Sequence, residues 1–230
     1  MRKIRCSIAI GLMLAGAVRP GEAVGAQQGG AVTGRITLTE RGDRPAPDLG
    51  QAILWLTGPH APSAVPQAVE MATERKEFVP RVVVVPRGST VAFPNHDPFN
   101  HNVFSLTPNA TFDLGLYGRG EAKQVEVDHP GVIRVYCNVH AQMRGLIVVQ
   151  ETGLYSQPGS DGSFRLDQVP PGDYVLHAWH ERGAAEVTRS IRVGPAGASA
   201  GVLEIDARGY RFVQHKDKEG KSYSDRSRRY

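Results

Sequence analysis

Cys137, His140 and Met143 follow one another at C-x2-H-x2-M spacing in the stretch Val135-Tyr136-Cys137-Asn138-Val139-His140-Ala141-Gln142-Met143-Arg144-Gly145. A thiolate, an imidazole and a thioether in one short loop are donors for a soft metal ion. Sulfur ligands with imidazole select copper over harder divalent ions, and two imidazoles with a thiolate and a weak axial thioether make copper sites that move electrons. That set needs a second imidazole. His101, in Asn100-His101-Asn102-Val103-Phe104 where an earlier strand pattern ends, is the best placed to supply it. The competing reading of Cys137 is a small buried side chain in a strand.

The start of the chain bears on that choice. Arg2, Lys3 and Arg5 precede an apolar run from Cys6 to Val18, and Val24-Gly25-Ala26 offers small residues for cleavage. Residues 1–26 read as a secretory signal. The run is too short to span a bilayer, so no transmembrane anchor is expected. No Cys follows the small residues, which argues against a lipid anchor there. The protein is therefore expected in the periplasm or otherwise secreted. The chain has two cysteines, and Cys6 leaves with the signal. An unpaired Cys137 in an oxidising compartment calls for a reason, and metal ligation is one.

The formal charge is +4, but the signal holds four basic residues and one acidic, leaving about +1. From Asp206 onward there are eight basic residues against four acidic, so the body between is mildly acidic. Nucleic acid is not an implied partner.

The elements that must position the ligands read as short strands. Ala31–Leu38 alternates as a half-buried strand does, and Ile53–Leu56 is a fully buried one. Pro59–Glu70 is Pro- and Ala-rich without a period and reads as a linker or long loop. Val82–Val85, Thr90–Phe93, Phe112–Gly115, Val125–Val127 and Val132–Cys137 follow at the regular spacing of a sandwich or barrel. Two of these strands end at or near the proposed ligands. His96 and Asp97 read as solvated loop residues. His177 and His180 flank Trp179 on an alternating strand, so at least one should face inward and hydrogen bond there. His215 falls in a flexible segment.

The segment Glu77–Gln150 resembles the cupredoxins, the blue-copper β-sandwich family that includes plastocyanin, pseudoazurin and amicyanin. The resemblance is carried by Phe78-Val79-Pro80, Gly88-Ser89-Thr90-Val91-Ala92-Phe93-Pro94-Asn95, His101-Asn102-Val103 and the Cys137 loop, whose two-residue gap before Met143 is most similar to amicyanin. It implies one copper ion in a type 1 site, with His101, Cys137 and His140 equatorial and Met143 axial. It also implies that Asn102 ties the ligand loops together. Electrons would pass through His140 to a redox partner docked there, with Pro98, Phe99 and Ala141 around it. The loop departs from amicyanin in lacking prolines.

Beyond Gln150, Ser160-Asp161-Gly162-Ser163-Phe164-Arg165-Leu166, Val169-Pro170-Pro171-Gly172-Asp173-Tyr174 and the Trp179 strand resemble the carboxypeptidase regulatory-like module. That module is a transthyretin-like sandwich without catalytic residues. Alone it is small for a free-standing core. The expected architecture is all-β: a cupredoxin Greek-key sandwich over 70–150, inserted in a second small transthyretin/Ig-like sandwich made of 29–65 and 151–206. A basic, disordered tail over 207–230 completes it. Neither a Ser-His-Asp nor a metalloprotease arrangement is present, and no enzyme is expected. The leading function is electron carriage by copper. The alternatives are copper storage or delivery, and a metal-free recognition sandwich for carbohydrate or envelope components.

Overall fold

The structure is a computed structural model of the chain, and it describes residues 29–42 and 46–223. The signal read over residues 1–26 lies outside the described residues, as does the end of the tail. Seventeen strands follow in order: β1 (Gly30–Thr39), β2 (Ile53–Thr57), β3 (Ala68–Glu70), β4 (Ala72–Glu74), β5 (Glu77–Val79), β6 (Val82–Pro86), β7 (Ser89–Pro94), β8 (His101–Ser105), β9 (Phe112–Tyr117), β10 (Ala122–Val127), β11 (Gly131–Cys137), β12 (Arg144–Gln150), β13 (Tyr155–Ser156), β14 (Ser163–Val169), β15 (Gly172–Trp179), β16 (Val187–Val193) and β17 (Ala198–Asp206). The fold is all-β, as its short alternating runs dictate. Among the described residues no helix is long and apolar enough to cross a membrane.

Strands β3 to β12 pair with one another. They form a five-stranded sheet in the order β6-β12-β11-β8-β9, a three-stranded sheet β10-β7-β3 and the small ladder β4-β5. Met71, Phe78, Val91, Phe93, Val103, Val135, Cys137, Met143 and Ile147 belong to the core between them. This is the sandwich expected over residues 70–150, the part that resembles the cupredoxins. Strands β1 and β2 pair instead with late strands, in the sheets β14-β1-β17 and β13-β2-β15-β16, which enclose a second core that includes Ile36, Leu54, Leu56, Phe164, Leu176 and Leu203.

The apolar run Leu146–Val149 has a reason in this arrangement. A strand covered on both faces cannot alternate with polar residues. Ile147 and Val149 face the cupredoxin core, whereas Leu146 and Val148 join Ile53 and Val82 in a third cluster that seats the two sandwiches together. Trp55 and Trp179 pack at the edge of that cluster.

Two expectations are corrected here. The stretch Pro59–Glu70 is not wholly a loop: Ala68–Glu70 adds to β7 in parallel. Such a short edge strand, with only Val69 half-buried, leaves no period to read. Residues 207–223 run from β1 onto the five-stranded sheet along a defined path rather than the expected disorder, with Asp217 fully buried. Their composition is polar because their contacts are hydrogen bonds and ring stacking.

Candidate metal centre

The period of β11 delivers the thiol. Ile133, Val135 and Cys137 are buried while Arg134 is exposed, so Cys137 faces inward at the last position of the strand. Strand β8 is buried throughout and pairs antiparallel with β11 through Cys137↔Val103, which sets His101 just past the thiol. The amide of Asn138 continues the ladder to the carbonyl of Asn102 at 2.9 Å. The loop then turns back: Met143 N donates to His140 O at 3.1 Å, and Cys137 N donates to Met143 O at 3.3 Å. Two backbone bonds thus close the loop on itself and bring its ends together.

The donors converge. One ligand atom from each of His101, Cys137 and His140 lies within 4.8 Å of the others. Cys137 Sγ is 3.6 Å from His101 Nδ1 and 3.7 Å from His140 Nδ1. A metal ion with bonds of about 2.3 Å to sulfur and about 2.0 Å to nitrogen sets S···N separations of roughly 3.5–3.8 Å between tetrahedral and trigonal angles. The residues present fit such an ion. The sulfur also accepts from Val139 N at 3.4 Å, a bond that favours the thiolate. Met143 is buried, 1 % exposed, in the same core.

Asp97 decides which nitrogen His101 offers. Its Oδ2 lies 2.9 Å from His101 Nε2. A carboxylate accepts, so Nε2 carries the proton and Nδ1 turns its lone pair toward the sulfur. Asp97 is itself fixed by the amides of Arg75 and Lys76 at 2.7 and 2.9 Å. Burial pushes its carboxyl up, but these amides and His101 outweigh that and hold it below the usual range. Burial likewise lowers the His101 pKa, against the pull of Asp97, and lowers that of His140, helped by His101 and Lys76. Both imidazoles therefore favour the neutral form that binds metal.

Asp97 is not the solvated loop residue its sequence context implies; it is 5 % exposed. Asn102, expected to tie the ligand loops together, reaches Asn138 through its backbone. Its side chain donates to Asp113 Oδ1 at 2.5 Å. The Phe99 ring stands 5.4 Å from His101 and 5.2 Å from His140, centroid to centroid. Of the other histidines, His180 is buried and bonded as expected, whereas His215 stacks on Tyr136 at 4.3 Å.

Comparison with known proteins finds one family and several partial structural likenesses. Residues 67–150 match the copper binding proteins of the plastocyanin/azurin family. This segment is cupredoxin-like. Among solved structures, a copper-containing nitrite reductase from Thermus scotoductus SA-01 is similar at 28 % identity over 38 % of this chain, with a TM-score of 0.34. The aligned part spans 23 % of that enzyme. A purple cupredoxin from Nitrosopumilus maritimus is similar at 27 % identity over 34 % of this chain and 86 % of its own, with a TM-score of 0.31. A reduced amicyanin variant is similar at 21 % identity over 42 % of this chain and 99 % of its own, with a TM-score of 0.34. No curated protein matches the chain at a significant level.

Proposed function

We propose that this is an exported protein that holds one copper ion in a type 1 site and carries single electrons between redox partners. The observation that carries the reading is the buried thiol of Cys137 faced by Nδ1 of His101 at 3.6 Å and Nδ1 of His140 at 3.7 Å. These three atoms would be the strong donors, and Met143 the weak axial one. Copper in such a set supplies a one-electron couple. The chain's residues do the rest. The ladder between β8 and β11 fixes the spacing of His101 and Cys137, Asp97 fixes the His101 tautomer, and the surrounding core excludes water. A site that barely rearranges between two charge states exchanges electrons quickly.

Electron exchange would use the edge of half-buried His140. Around it lie Phe99, Ala141 and Val139, the last 46 % exposed, an apolar patch suited to brief docking. Four protein donors leave no open position for a substrate, which favours a carrier over an enzyme. Export is supported by the signal-like residues 1–26 and by a lone cysteine that a metal would protect. We infer further that residues 29–65 and 151–206 make one transthyretin-like sandwich of the carboxypeptidase regulatory-like kind, into which residues 70–150 are inserted.

The test is the visible absorption and EPR spectrum of residues 27–230 after addition of Cu(II), beside Cys137→Ser. An intense thiolate-to-copper band that the variant lacks is the expected result. Wild type and variant without the band would sink the reading. A second reading, recognition by the outer sandwich, is favoured by one feature. A cleft of about 480 Å³ lies between the sandwiches, lined by both tryptophans of the chain, Trp55 and Trp179, with Glu186 and Gln150.

A further inference from the structure

The segment after β17 returns to the cupredoxin sandwich and runs along its ligand loop. Tyr210 Oη accepts from Arg144 Nη1 at 3.2 Å, and the Phe212 ring lies under the Arg144 guanidinium at 4.4 Å. His215 then stacks on Tyr136, the residue before Cys137, at 4.3 Å and 19°. A tight turn follows. The Asp217 carboxylate accepts from Glu219 N at 3.0 Å and Lys221 N at 2.7 Å, and Gly220 takes φ +77° to close it.

That turn sets three donors on the site. Lys218 N donates to Asn138 Oδ1 at 3.1 Å, and Lys218 Nζ to Asp113 Oδ2 at 2.6 Å. Tyr223 Oη donates to the carbonyl of Cys137 at 2.7 Å. The last bond matters most because of what it completes. The carbonyl of Cys137 and the amide of Asn138 belong to one rigid peptide plane. Asn102 O already holds the amide edge at 2.9 Å, and Tyr223 holds the carbonyl edge. With both edges held, the backbone on either side of the plane has little freedom, and the direction of the Cys137 Cα–Cβ bond is set. Lys218 acts across the site. It touches Asn138 in the loop of Cys137 and His140, and, through Asp113, Asn102 beside His101. The residues between Cys137 and Met143 contain no proline, so rigidity must come from elsewhere.

We propose that residues 215–223 form a strap that positions the ligand loop, with Tyr223 and Lys218 as its positioning residues. Its consequence for copper rests on His101, Cys137 and His140 being the ligands; its effect on the loop does not. The strap also covers the Tyr136 side of the sheet, leaving the His140 side for docking.

The experiment uses full-length mature protein carrying Tyr223→Phe, Lys218→Met or both. Tyr174→Phe is the control, because it removes a comparable hydroxyl bond to Pro170 O, 2.9 Å, in the other sandwich. Without metal, amide exchange at Asn138 and Val139 is expected to quicken about tenfold or more in Tyr223→Phe and not in the control. With Cu(II), both strap variants are expected to shift the charge-transfer band and the reduction potential, and to weaken copper binding on the order of tenfold, with the control unchanged. Unaltered exchange in both strap variants overturns the strap. Faster exchange with an unmoved band and potential overturns its positioning role. If wild type itself yields no charge-transfer band, the copper reading fails, while the exchange rates still judge the strap.

Discussion

At His101 the tautomer is decided by its neighbour Asp97. Asp97 accepts the hydrogen bond of the Nε2 proton, and Nδ1 is left for the thiol side of the site. Replacing it with Asn keeps an acceptor but removes the charge, and a single amide oxygen cannot serve Arg75 N, Lys76 N and His101 as two carboxylate oxygens do. Asp97→Asn is expected to weaken Cu(II) binding about 10- to 100-fold, the usual cost of losing a ligand's orienting partner. Competition against a chelator of known affinity measures it, and unchanged affinity would remove Asp97 from the site. Cys137, His140 and Met143 could be named as candidates from sequence because their spacing is local. Asp97 could not, because what captures it are amides more than twenty residues upstream, and Asn95-His96-Asp97-Pro98 has the composition of any solvated turn. His180 shows the same physics away from the site. Its Nδ1 accepts from Arg182 N at 3.1 Å and its Nε2 faces Asp48 O at 3.3 Å, so the ring is held neutral. Burial lowers its pKa, with Arg182 adding to this and the charges of Asp48 and Glu181 opposing. A folded-state value below the unfolded one, about 6.5, means the unfolded chain binds the proton first. The stabilisation is complete above that pH and is lost as pH falls through it toward the folded value. Metal-free protein is therefore expected to lose more of its urea midpoint between pH 7.5 and 5 than His180→Asn does. Parallel losses would show that the ring is not held neutral.

Strands rather than residues decide how the ligand loop leaves the site. Strand β12 begins at Arg144, immediately after Met143, and must pass beneath Met71 and Phe78 on entering the core. Gly145 makes that passage possible. A Cβ there would stand 3.0 Å from Met71 Sδ, 3.2 Å from Arg81 O and 3.3 Å from Phe78 Cβ. The Met71 side chain can yield, but the Arg81 carbonyl and the base of Phe78 cannot do so without moving β5. Gly145→Ala is expected to cost about 1–3 kcal/mol, the range for overpacking a filled core. The check is a lower urea midpoint at unchanged slope; a variant as stable as wild type would mean the entry to β12 has room. Strand type was readable wherever burial left a period or a solid apolar run, as in Ile133-Arg134-Val135 and Ile53–Leu56. Strand β3 and the strap were not. Val69 is only half-buried, and the strap is held through Lys218 and Tyr223, whose partners lie some eighty to a hundred residues away in sequence. A polar, basic composition describes such a segment and a solvated tail equally well. Asp217-Lys218-Glu219-Gly220 was the one local signal, a turn with glycine where a positive φ is required.

Across the whole molecule, the proposed insertion makes one demand: the two sandwiches share no strand, and the chain must enter and leave the inner one at a single place. Ser63 and Thr152 form an antiparallel bridge, Ala64 N donates to Glu151 O at 2.8 Å, and Gly153 N donates to Pro62 O at 2.8 Å. The strands flanking the insertion are thus already held as a hairpin would hold them. A two-residue Asn-Gly turn between Ala64 and Glu151 matches the connection that an antiparallel pair prefers. Excising residues 65–150 in this way keeps every strand that pairs with β1, β2 and β13 to β17. It removes Val82, Leu146 and Val148 from the cluster around Ile53, and the bond from Arg81 to Glu181. The exposed face of Ile53, Trp55 and Trp179 should lower the melting temperature and redden tryptophan emission, because apolar surface returned to water costs about 25 cal/mol per Å². It should not abolish folding, since the core around Leu54, Leu56, Phe164, Leu176 and Leu203 is untouched. The excised chain is expected to keep a strand-type circular dichroism spectrum and a cooperative thermal transition, and to bind no copper at the thiolate site. Loss of the transition would show that the outer strands depend on the cupredoxin for their fold, which would overturn the insertion and leave the two sandwiches as one cooperative unit.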